Sequence, residues 1–395
     1  MLQESLENFI HSEISNLQAA GCYRRMKRID SASDAKIFLN GKKVINFSSN
    51  NYLGLASSRF LKQAAVQALT EFGVGAGASR LISGNLALHE ELEKKIADFK
   101  KTESAILFNC GYMANCGLLG ALGHREDVIF SDRFNHASII DGILLSRAKL
   151  ARYAHKDMDG LRRLLIRHQN SKGKRIIVTD SVFSMDGDLA PLQEIVALAR
   201  EFGASVMVDE AHATGVLGEN GRGVLELLNL ESEIDIQMGT LGKALGGFGA
   251  YVAGDSLLID FLVNHARPFI FTTALPPAVI AASLKALDIV QNRPDLRDTL
   301  LSQANWFRKK LQETGFNTLE SETHIIPILV GGNDTALQFS QKLLETGIYA
   351  PAVRPPTVPK GTARLRISLM ATHTLADLEE AMDKIQMVGQ ELRLI

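Results

Sequence analysis

The sequence predicts an α/β fold in which a mostly parallel sheet is covered by helices on both faces. Short apolar or β-branched runs, typical of buried strands, recur between residues 105 and 253. Helical patterns lie between several of these runs, and an aspartate follows three of them. Such alternation favours parallel strands joined by crossover helices, and in sheets of this kind ligands bind at the carboxyl ends of the strands.

The predicted elements of this sheet follow one another along the chain. The strand runs are 105–108, 128–130, 176–178, 206–208, 234–238 and 250–253. Two helices are predicted from apolar residues that repeat on one helix face, namely Leu88, Leu92, Ile96 and Phe99, and then Leu192, Ile195, Ala199 and Phe202. Asp132, Asp180 and Asp209 each follow a strand run, where an aspartate either serves a ligand or only caps a turn or a helix.

The chain is predicted to have three parts: an N-terminal arm (1–45), a large cofactor-binding domain (46–275) and a smaller C-terminal α/β domain (276–395). The arm contains a helix and then a hairpin that turns at Asn40-Gly41. The C-terminal part begins at Pro276-Pro277. Its predicted elements are helices ending near 292 and spanning 296–313, strands 324–330 and 364–369, and a closing helix over 375–392.

Composition argues against a nucleic-acid-binding protein. The 395 residues include 43 Lys and Arg against 44 Asp and Glu, and the sequence pI is about 6.8. Nucleic-acid binders usually carry a basic excess or a basic stripe, which this chain lacks. Its N-terminal residues do not have the pattern of a signal peptide, and no apolar run approaches the length of a membrane span. We therefore expect a soluble, cytoplasmic protein.

The three cysteines predict neither a disulfide framework nor a zinc site. Cys22, Cys110 and Cys116 are too few for a framework in a chain of 395 residues, and their spacing matches no zinc pattern. Buried, reduced thiols are the expected state, which suits a cytosolic protein. No metal site is predicted.

The segment VMVDEAHATG (206–215) allows two opposite interpretations. Its letters Asp-Glu-Ala-His are the box of one class of helicases, in which an acidic pair holds Mg²⁺ against ATP. That interpretation requires a phosphate loop, G-x-x-x-x-G-K-[ST]. Each Gly-Lys pair of this chain is instead followed by Lys43, Arg175 or Ala244, so none offers a hydroxyl to Mg²⁺. Motifs of serine hydrolases and zinc proteases are also missing.

The glycine-rich segment TLGKALGGFGAY (240–251) favours the other interpretation, an organic cofactor. Lys243 lies among apolar and small residues, where desolvation would lower its pKa from about 10.4 and leave an amine able to form a Schiff base with an aldehyde. Thr240 offers a hydroxyl to a phosphate. Asp209 could then keep the ring nitrogen of pyridoxal phosphate protonated, and His212 could reach the ring edge.

Seven segments together resemble the α-oxoamine synthase family of pyridoxal-phosphate enzymes, from about residue 20 to the end. They are NFSSNNYLGLA (46–56), GAGASRLISGN (75–85), FNCGYMAN (108–115), SDRFNHASIIDG (131–142), DSVFSMDGDLAPL (180–192), VDEAHATGVLGENGRG (208–223) and TLGKALGGFGAY (240–251). The resemblance implies the pyridoxal-phosphate-dependent transferase fold of type I. It also implies a homodimer with shared active sites that joins an amino acid to an acyl thioester and releases CO₂.

The resemblance also assigns roles to residues of the cofactor site. Lys243 resembles the Schiff-base lysine and acid–base group, Asp209 the partner of the pyridinium, and His136 the histidine that stacks on the ring and meets substrate. Further cofactor contacts implied by the motifs are Gly111, Tyr112, Ser184, His212 and Thr240, with Thr272 or Thr273 offered by a neighbouring subunit.

Substrate contacts are implied in the same way. Arg366 resembles the arginine that binds the amino-acid carboxylate, and Asn50, Thr357 and Arg24 match other substrate contacts, although the last assignment could fall on Arg25. Segment 354–368, RPPTVPKGTARLRIS, resembles the biotin-pathway branch, which condenses L-alanine with a pimeloyl thioester of coenzyme A or an acyl carrier protein. The alternative is the branch that uses glycine and acetyl-CoA.

Overall fold

The computed structural model describes residues 2–395. Contacts between Cα atoms divide the chain into two compact units. The larger unit consists of Asn50–Ser184 and Asp188–Leu301, and the smaller one of the residues up to Ser49, Met185–Gly187 and Ser302–Ile395. Residues 276–301 thus group with the larger unit, and the N-terminal arm groups with the C-terminal residues. The functional division at 45/46 and 275/276 stays a prediction.

The described residues form fourteen α-helices and thirteen strands. The helices are α1 (Glu4–Ala19), α2 (Arg59–Phe72), α3 (Ala87–Lys100), α4 (Gly111–Leu122), α5 (Ala137–Ser146), α6 (Met158–Arg167), α7 (Leu192–Phe202), α8 (Val224–Leu227), α9 (Ser256–His265), α10 (Arg267–Ile270), α11 (Pro277–Asn292), α12 (Pro294–Glu313), α13 (Asn333–Glu345) and α14 (Leu375–Glu391). The strands are β1 (Lys36–Leu39), β2 (Lys42–Asn46), β3 (Ser104–Phe108), β4 (Val128–Asp132), β5 (Lys149–Tyr153), β6 (Arg175–Asp180), β7 (Ser205–Asp209), β8 (Ile236–Thr240), β9 (Ala250–Gly254), β10 (Ile325–Gly331), β11 (Ile348–Tyr349), β12 (Ala352–Val353) and β13 (Ala363–Ser368).

A seven-stranded sheet forms the centre of the larger unit, in the order β3-β9-β8-β7-β6-β4-β5. Strands β4 to β8 pair in parallel, and β9 runs antiparallel to both β3 and β8. Side chains from α4, α5, α9 and α10 pack with the sheet in one apolar core. This arrangement confirms the predicted α/β fold with a mostly parallel sheet.

All six predicted strand runs are strands of this sheet, and the sequence analysis missed only β5 among its seven members. The sequence of β5, KLARY, has charged residues at its first and fourth positions, and both are exposed because the strand lies at the edge of the sheet. A strand of that kind does not show the continuous apolar run by which the buried strands were recognised.

The smaller unit contains two three-stranded sheets. The predicted hairpin is confirmed: β1 and β2 are antiparallel, and Asn40 and Gly41 have φ values of 48° and 77°, as the two central residues of a tight hairpin turn require. β11 adds to β2 in parallel. The second sheet has the order β10-β13-β12 and is antiparallel. The predicted strands near 324–330 and 364–369 correspond to β10 and β13.

Among residues 2–395, no helix has both the length and the apolar character needed to cross a bilayer.

Candidate active site

The carboxyl ends of four neighbouring strands bring polar side chains to one edge of the large sheet. Strands β4, β6, β7 and β8 end at Asp132, Asp180, Asp209 and Thr240. Asp180 and Asp209 are register partners in adjacent strands. All four of these residues come from segments that the sequence analysis singled out. The topology places them where parallel α/β sheets bind ligands.

Asp209 is buried and oriented by two hydrogen bonds. Its side chain is 4% exposed. Oδ1 accepts from the backbone N–H of Ala211, and Oδ2 accepts from Asn115 Nδ2, both at 2.9 Å. These two donors fix the orientation of the carboxylate. A charged carboxylate fixed in this way can hold a protonated ring nitrogen, the role predicted for it.

Lys243 lies in a chain of polar contacts with two other side chains. Its Nζ is 2.8 Å from His212 Nε2, and His212 Nδ1 is 2.6 Å from the hydroxyl of Tyr52. The Tyr52 hydroxyl also donates to Asn50 Oδ1 at 3.0 Å. The structure therefore brings three predicted site residues, Lys243, His212 and Asn50, together through a tyrosine that the sequence analysis did not select.

The loop that carries Lys243 needs glycine for its own packing. Gly246 has φ of +65°, and a Cβ added there would lie 2.4 Å from the backbone nitrogen of Ala56. This contact is with protein backbone, so the fold itself requires glycine at this position. A side chain at position 246 would shift the loop away from residues 55–56, and Lys243 with it.

Glu210, the neighbour of Asp209, serves the fold. Its carboxylate pairs with Lys100 Nζ at 2.5 Å, and both side chains are buried. It also accepts from the backbone N–H of Leu225 at 3.1 Å. Burial opposes the charge of Lys100, but the attraction of the Glu210 carboxylate outweighs it and raises the pKa of Lys100. The glutamate of the Asp-Glu-Ala-His segment is therefore engaged in a buried ion pair with Lys100.

Asp132 is also bound within the protein. His155 lies between two carboxylates, with Nδ1 3.1 Å from Asp132 Oδ1 and Nε2 2.9 Å from Asp188 Oδ2. Its ring stacks on Phe134 at a centroid distance of 4.4 Å. Desolvation works against the charged ring, but the hydrogen bonds to Asp132 and Asp188 outweigh it and raise the pKa of His155 to about 9. This charged histidine stabilises the strand end and the loop after β6.

His136 caps the first turn of α5 at the same sheet edge. Its backbone N–H donates to Asp180 Oδ2 at 2.7 Å. Desolvation lowers the pKa of the His136 imidazole and Lys243 lowers it further, against the Asp209 carboxylate, which raises it. His136 as a whole is exposed, although the protein around its ring disfavours the charged form and lowers its pKa. Burial, reinforced by Asp209, raises the pKa of Asp180 well above its ordinary range.

The N-terminus of α4 and the end of β8 form a place suited to a phosphate. The first N–H groups of a helix have no partner within the helix, and they favour an anion. A Cβ on Gly111 would lie 2.9 Å from Thr240 Cγ2, so only glycine allows this close approach. The buried Thr240 Oγ1 has no hydrogen-bond partner within residues 2–395. A phosphate would satisfy both sets of donors, so these residues fit pyridoxal phosphate.

The remaining predicted cofactor contacts lie in the same unit. The Tyr112 hydroxyl, exposed at the start of α4, donates to Asp141, and this hydrogen bond raises the pKa of Tyr112 to about 12. Ser184 is half-buried in the loop after β6. Asn109 Nδ2 donates to Thr272 Oγ1 at 3.2 Å and to the Thr273 carbonyl at 2.9 Å. The assignment of either threonine to a neighbouring subunit stays a prediction.

The other predicted substrate residues belong to the smaller unit. Arg24 Nη2 donates to Thr357 Oγ1 at 3.2 Å, which brings these two residues together. The guanidinium of Arg25 lies 5.7 Å from the ring centre of Tyr23, so the two arginines have different neighbours. On β13, Arg366 Nη1 donates to Ser368 Oγ at 2.8 Å. Their contacts with substrate stay predictions.

The sheet edge, the lysine and the phosphate-binding corner define a fold-type-I pyridoxal-phosphate enzyme. The family model described as aminotransferase class I and II matches residues 42–385. The chain belongs to this family, and its relatives place it among the α-oxoamine synthases. A curated relative from Geotalea daltonii, named 8-amino-7-oxononanoate synthase, is 55% identical over 382 residues, covering 96% of this chain and 97% of the relative.

Solved structures share the fold over almost the whole chain. A serine palmitoyltransferase from S. paucimobilis, with a bound PLP–myriocin aldimine, has a TM-score of 0.94 and 32% identity, and the match covers 100% of both chains. An 8-amino-7-oxononanoate synthase from Francisella tularensis has a TM-score of 0.77 and 32% identity, covering 89% of this chain and 99% of that one. The first of these neighbours contains the cofactor that the site described above fits.

Proposed function

We propose that this chain condenses L-alanine with a pimeloyl thioester and yields 8-amino-7-oxononanoate, CO₂ and the free thiol, a step of biotin biosynthesis. The observation that carries the proposal is the joint placement of Lys243, Asp209 and Thr240 at one sheet edge, in a chain 55% identical to a relative named for this reaction. The acyl donor is a thioester of coenzyme A or of an acyl carrier protein.

Pyridoxal phosphate would be held at three points of this edge. Thr240 Oγ1 and the first N–H groups of α4, from Gly111 onward, would bind the phosphate. The Asp209 carboxylate would keep the ring nitrogen protonated, while Ser184 and His212 would lie near the ring oxygen. When bound, the cofactor supplies an aldehyde that captures amines and a ring that accepts electrons from the α-carbon.

Lys243 would carry the covalent attachment and then move a proton. Its Nζ is the amine that would hold the cofactor, and the same atom could take up the α-proton of alanine. His212 Nε2, 2.8 Å away, can accept a hydrogen bond from that amine and so orients it. The hydroxyl of Tyr52 fixes the other His212 nitrogen. A positioned base of this kind contributes roughly 10² to 10⁴ in rate.

We propose further that two chains form a symmetric homodimer in the cytoplasm. The segment FIFTTALPP (269–277) supplies the hydroxyls of Thr272 and Thr273, which the family resemblance assigns to the neighbouring subunit's site. The twofold dimer is the commonest closed assembly. Activity per subunit is then expected to fall on dilution together with the dimer fraction.

A panel of amino acids and acyl thioesters tests the proposed reaction. Release of free thiol is measured for each pair, and alanine with pimeloyl thioester should give the largest kcat/KM. A preference for glycine with acetyl-CoA would overturn the proposed substrates and keep the family. Comparing the coenzyme A and acyl carrier protein thioesters then identifies the natural donor.

A further inference from the structure

One nitrogen of the His136 imidazole receives two donors from the same residue. The backbone N–H of Ser138 points at Nδ1 at 3.3 Å, and the Ser138 hydroxyl lies 2.7 Å from the same atom. A backbone N–H can only donate, so Nδ1 must accept. In a neutral imidazole the proton then resides on Nε2.

Ser138 is fixed in turn by Asn115, one turn after Gly111 on α4. Asn115 Nδ2 donates to Ser138 Oγ and to Asp209 Oδ2, each at 2.9 Å, which uses both hydrogens of the amide. A carboxylate accepts and does not donate, so the amide nitrogen must face Asp209. Since Ser138 Oγ accepts from Asn115, its own proton is available for His136 Nδ1.

We propose that Asn115 and Ser138 are positioning residues that hold His136 as the Nε2–H tautomer and tie it to the Asp209 carboxylate. Both side chains are buried, so water does not compete for these bonds. His136 Nε2 makes no hydrogen bond to other groups within residues 2–395. His136 therefore offers its ligand a hydrogen-bond donor and not a base.

The consequence for catalysis rests on the proposed function, whereas the tautomer does not. In the condensation of alanine with a thioester, negative charge develops on the thioester carbonyl oxygen. A fixed N–H donor stabilises such a charge better than a group that must first reorient. The lowered pKa of His136 supports a neutral ring at pH 7, the state in which the choice of tautomer decides what the ring can donate.

The test is NMR of the full-length protein as purified, with ¹⁵N-labelled histidine rings, and the His136 signals are identified by their loss in His136→Gln. In the wild type, Nδ1 should have the shift of an acceptor nitrogen and Nε2 that of a protonated one. Ser138→Ala removes the shorter donor and should move the tautomer ratio toward Nδ1–H by roughly fivefold or more. Ser138→Thr keeps the hydroxyl and should restore the ratio.

The kinetic readout separates positioning from a general loss of structure. Ser138→Ala should lower kcat by about tenfold, with the KM for alanine within about twofold. Gln237→Ala is the matched control, since Gln237 is a fully buried amide on β8 that donates to the Lys100 carbonyl. It should leave the His136 tautomer unchanged.

Two results would overturn the proposal. One is a wild-type His136 found as the Nδ1–H tautomer or as the imidazolium at pH 7.5. The other is a Ser138→Ala protein with an unchanged tautomer ratio. A wild-type protein with the stated tautomer but no turnover of any alanine and thioester pair would contradict the proposed function alone.

Discussion

Replacing Asp209 with asparagine tests the cofactor site directly, because the two side chains have nearly the same shape. An asparagine can still accept from the Ala211 N–H, but its amide nitrogen would then face Asn115 Nδ2, which now donates to Asp209 at 2.9 Å. Asn115 can rotate its amide to present Oδ1, an atom without a hydrogen-bond partner among residues 2–395. That rotation turns its nitrogen away from Ser138. We therefore expect the fold to persist and the site to lose its alignment.

The expected loss of activity in this variant is large because a buried charge disappears. Removing one partner of a buried ion pair costs about 3–5 kcal/mol, which is roughly 10² to 10³ or more in rate when it is felt in the transition state. The neutral hydrogen bonds of the variant contribute only about 1–2 kcal/mol less to the free energy of unfolding than the bonds of the wild type. The rate should therefore fall much more than the free energy of unfolding.

Three measurements decide this prediction: kcat from thiol release, the midpoint of thermal unfolding, and the absorbance of the bound cofactor during a titration. Asp132→Asn is the matched control, since Asp132 also ends a strand of this edge but bonds to His155. It should lower stability and leave kcat within about threefold. If Asp209→Asn turns over nearly as fast as the wild type, Asp209 only caps the strand end and the proposed role is wrong.

Three further predictions concern the lysine, the dimer and the charged histidine. The purified protein should be yellow, and borohydride should fix the cofactor on Lys243. Lys243→Ala should abolish turnover. A protein that stays colourless with added pyridoxal phosphate would contradict the prediction that it binds this cofactor. Lys243→Ala and the double variant Thr272→Ala/Thr273→Ala should each be inactive alone, and mixing them should restore activity after subunit exchange. No recovery after verified exchange would mean that each chain builds its own active site. Because the folded pKa of His155 is about 9, above the unfolded value near 6.5, its contribution to stability is full below pH 6.5 and is lost as the pH rises through 9. Urea unfolding at a series of pH values should show this loss of stability, about 1–2 kcal/mol for a partly solvated ring. The loss should be absent in His155→Gln. An equal dependence of the free energy of unfolding on pH in the two proteins would refute the prediction.

Most of the large sheet could be predicted from sequence because its strands are buried on both faces. A continuous apolar run identifies such a strand without reference to its neighbours, as for β6 and β7. β5 was missed because its neighbours decide its burial: at the edge of the sheet it keeps Lys149 and Arg152 exposed. The hairpin turn was found because Asn40-Gly41 specifies its own backbone conformation.

The predicted site residues are those whose chemistry is visible in a single segment. Lys243 was selected from its glycine-rich surroundings, and Asp209 from its place after a strand. Tyr52 and Asn115 were missed because their roles depend on partners far along the chain: 160 residues separate Tyr52 from His212, and 94 separate Asn115 from Asp209. Ser138 lies only two residues from His136, but no sequence pattern shows that its hydroxyl faces the imidazole. The segments containing all three were noticed, but no local pattern shows which side chain will meet which partner.

The Asp-Glu-Ala-His segment shows how the fold decides between two chemistries with the same letters. An acidic pair can hold Mg²⁺ only if both carboxylates have oxygens available to the ion. Here Glu210 is fully buried, and its carboxylate pairs with Lys100 and accepts from the Leu225 N–H, so its oxygens are engaged within the protein. Of the two carboxylates in this segment, only that of Asp209 lies at the site edge, where Asn115 and the Ala211 N–H orient it. One oriented carboxylate beside a lysine suits a protonated ring nitrogen, and the helicase interpretation fails on the partners of Glu210 as well as on the missing phosphate loop.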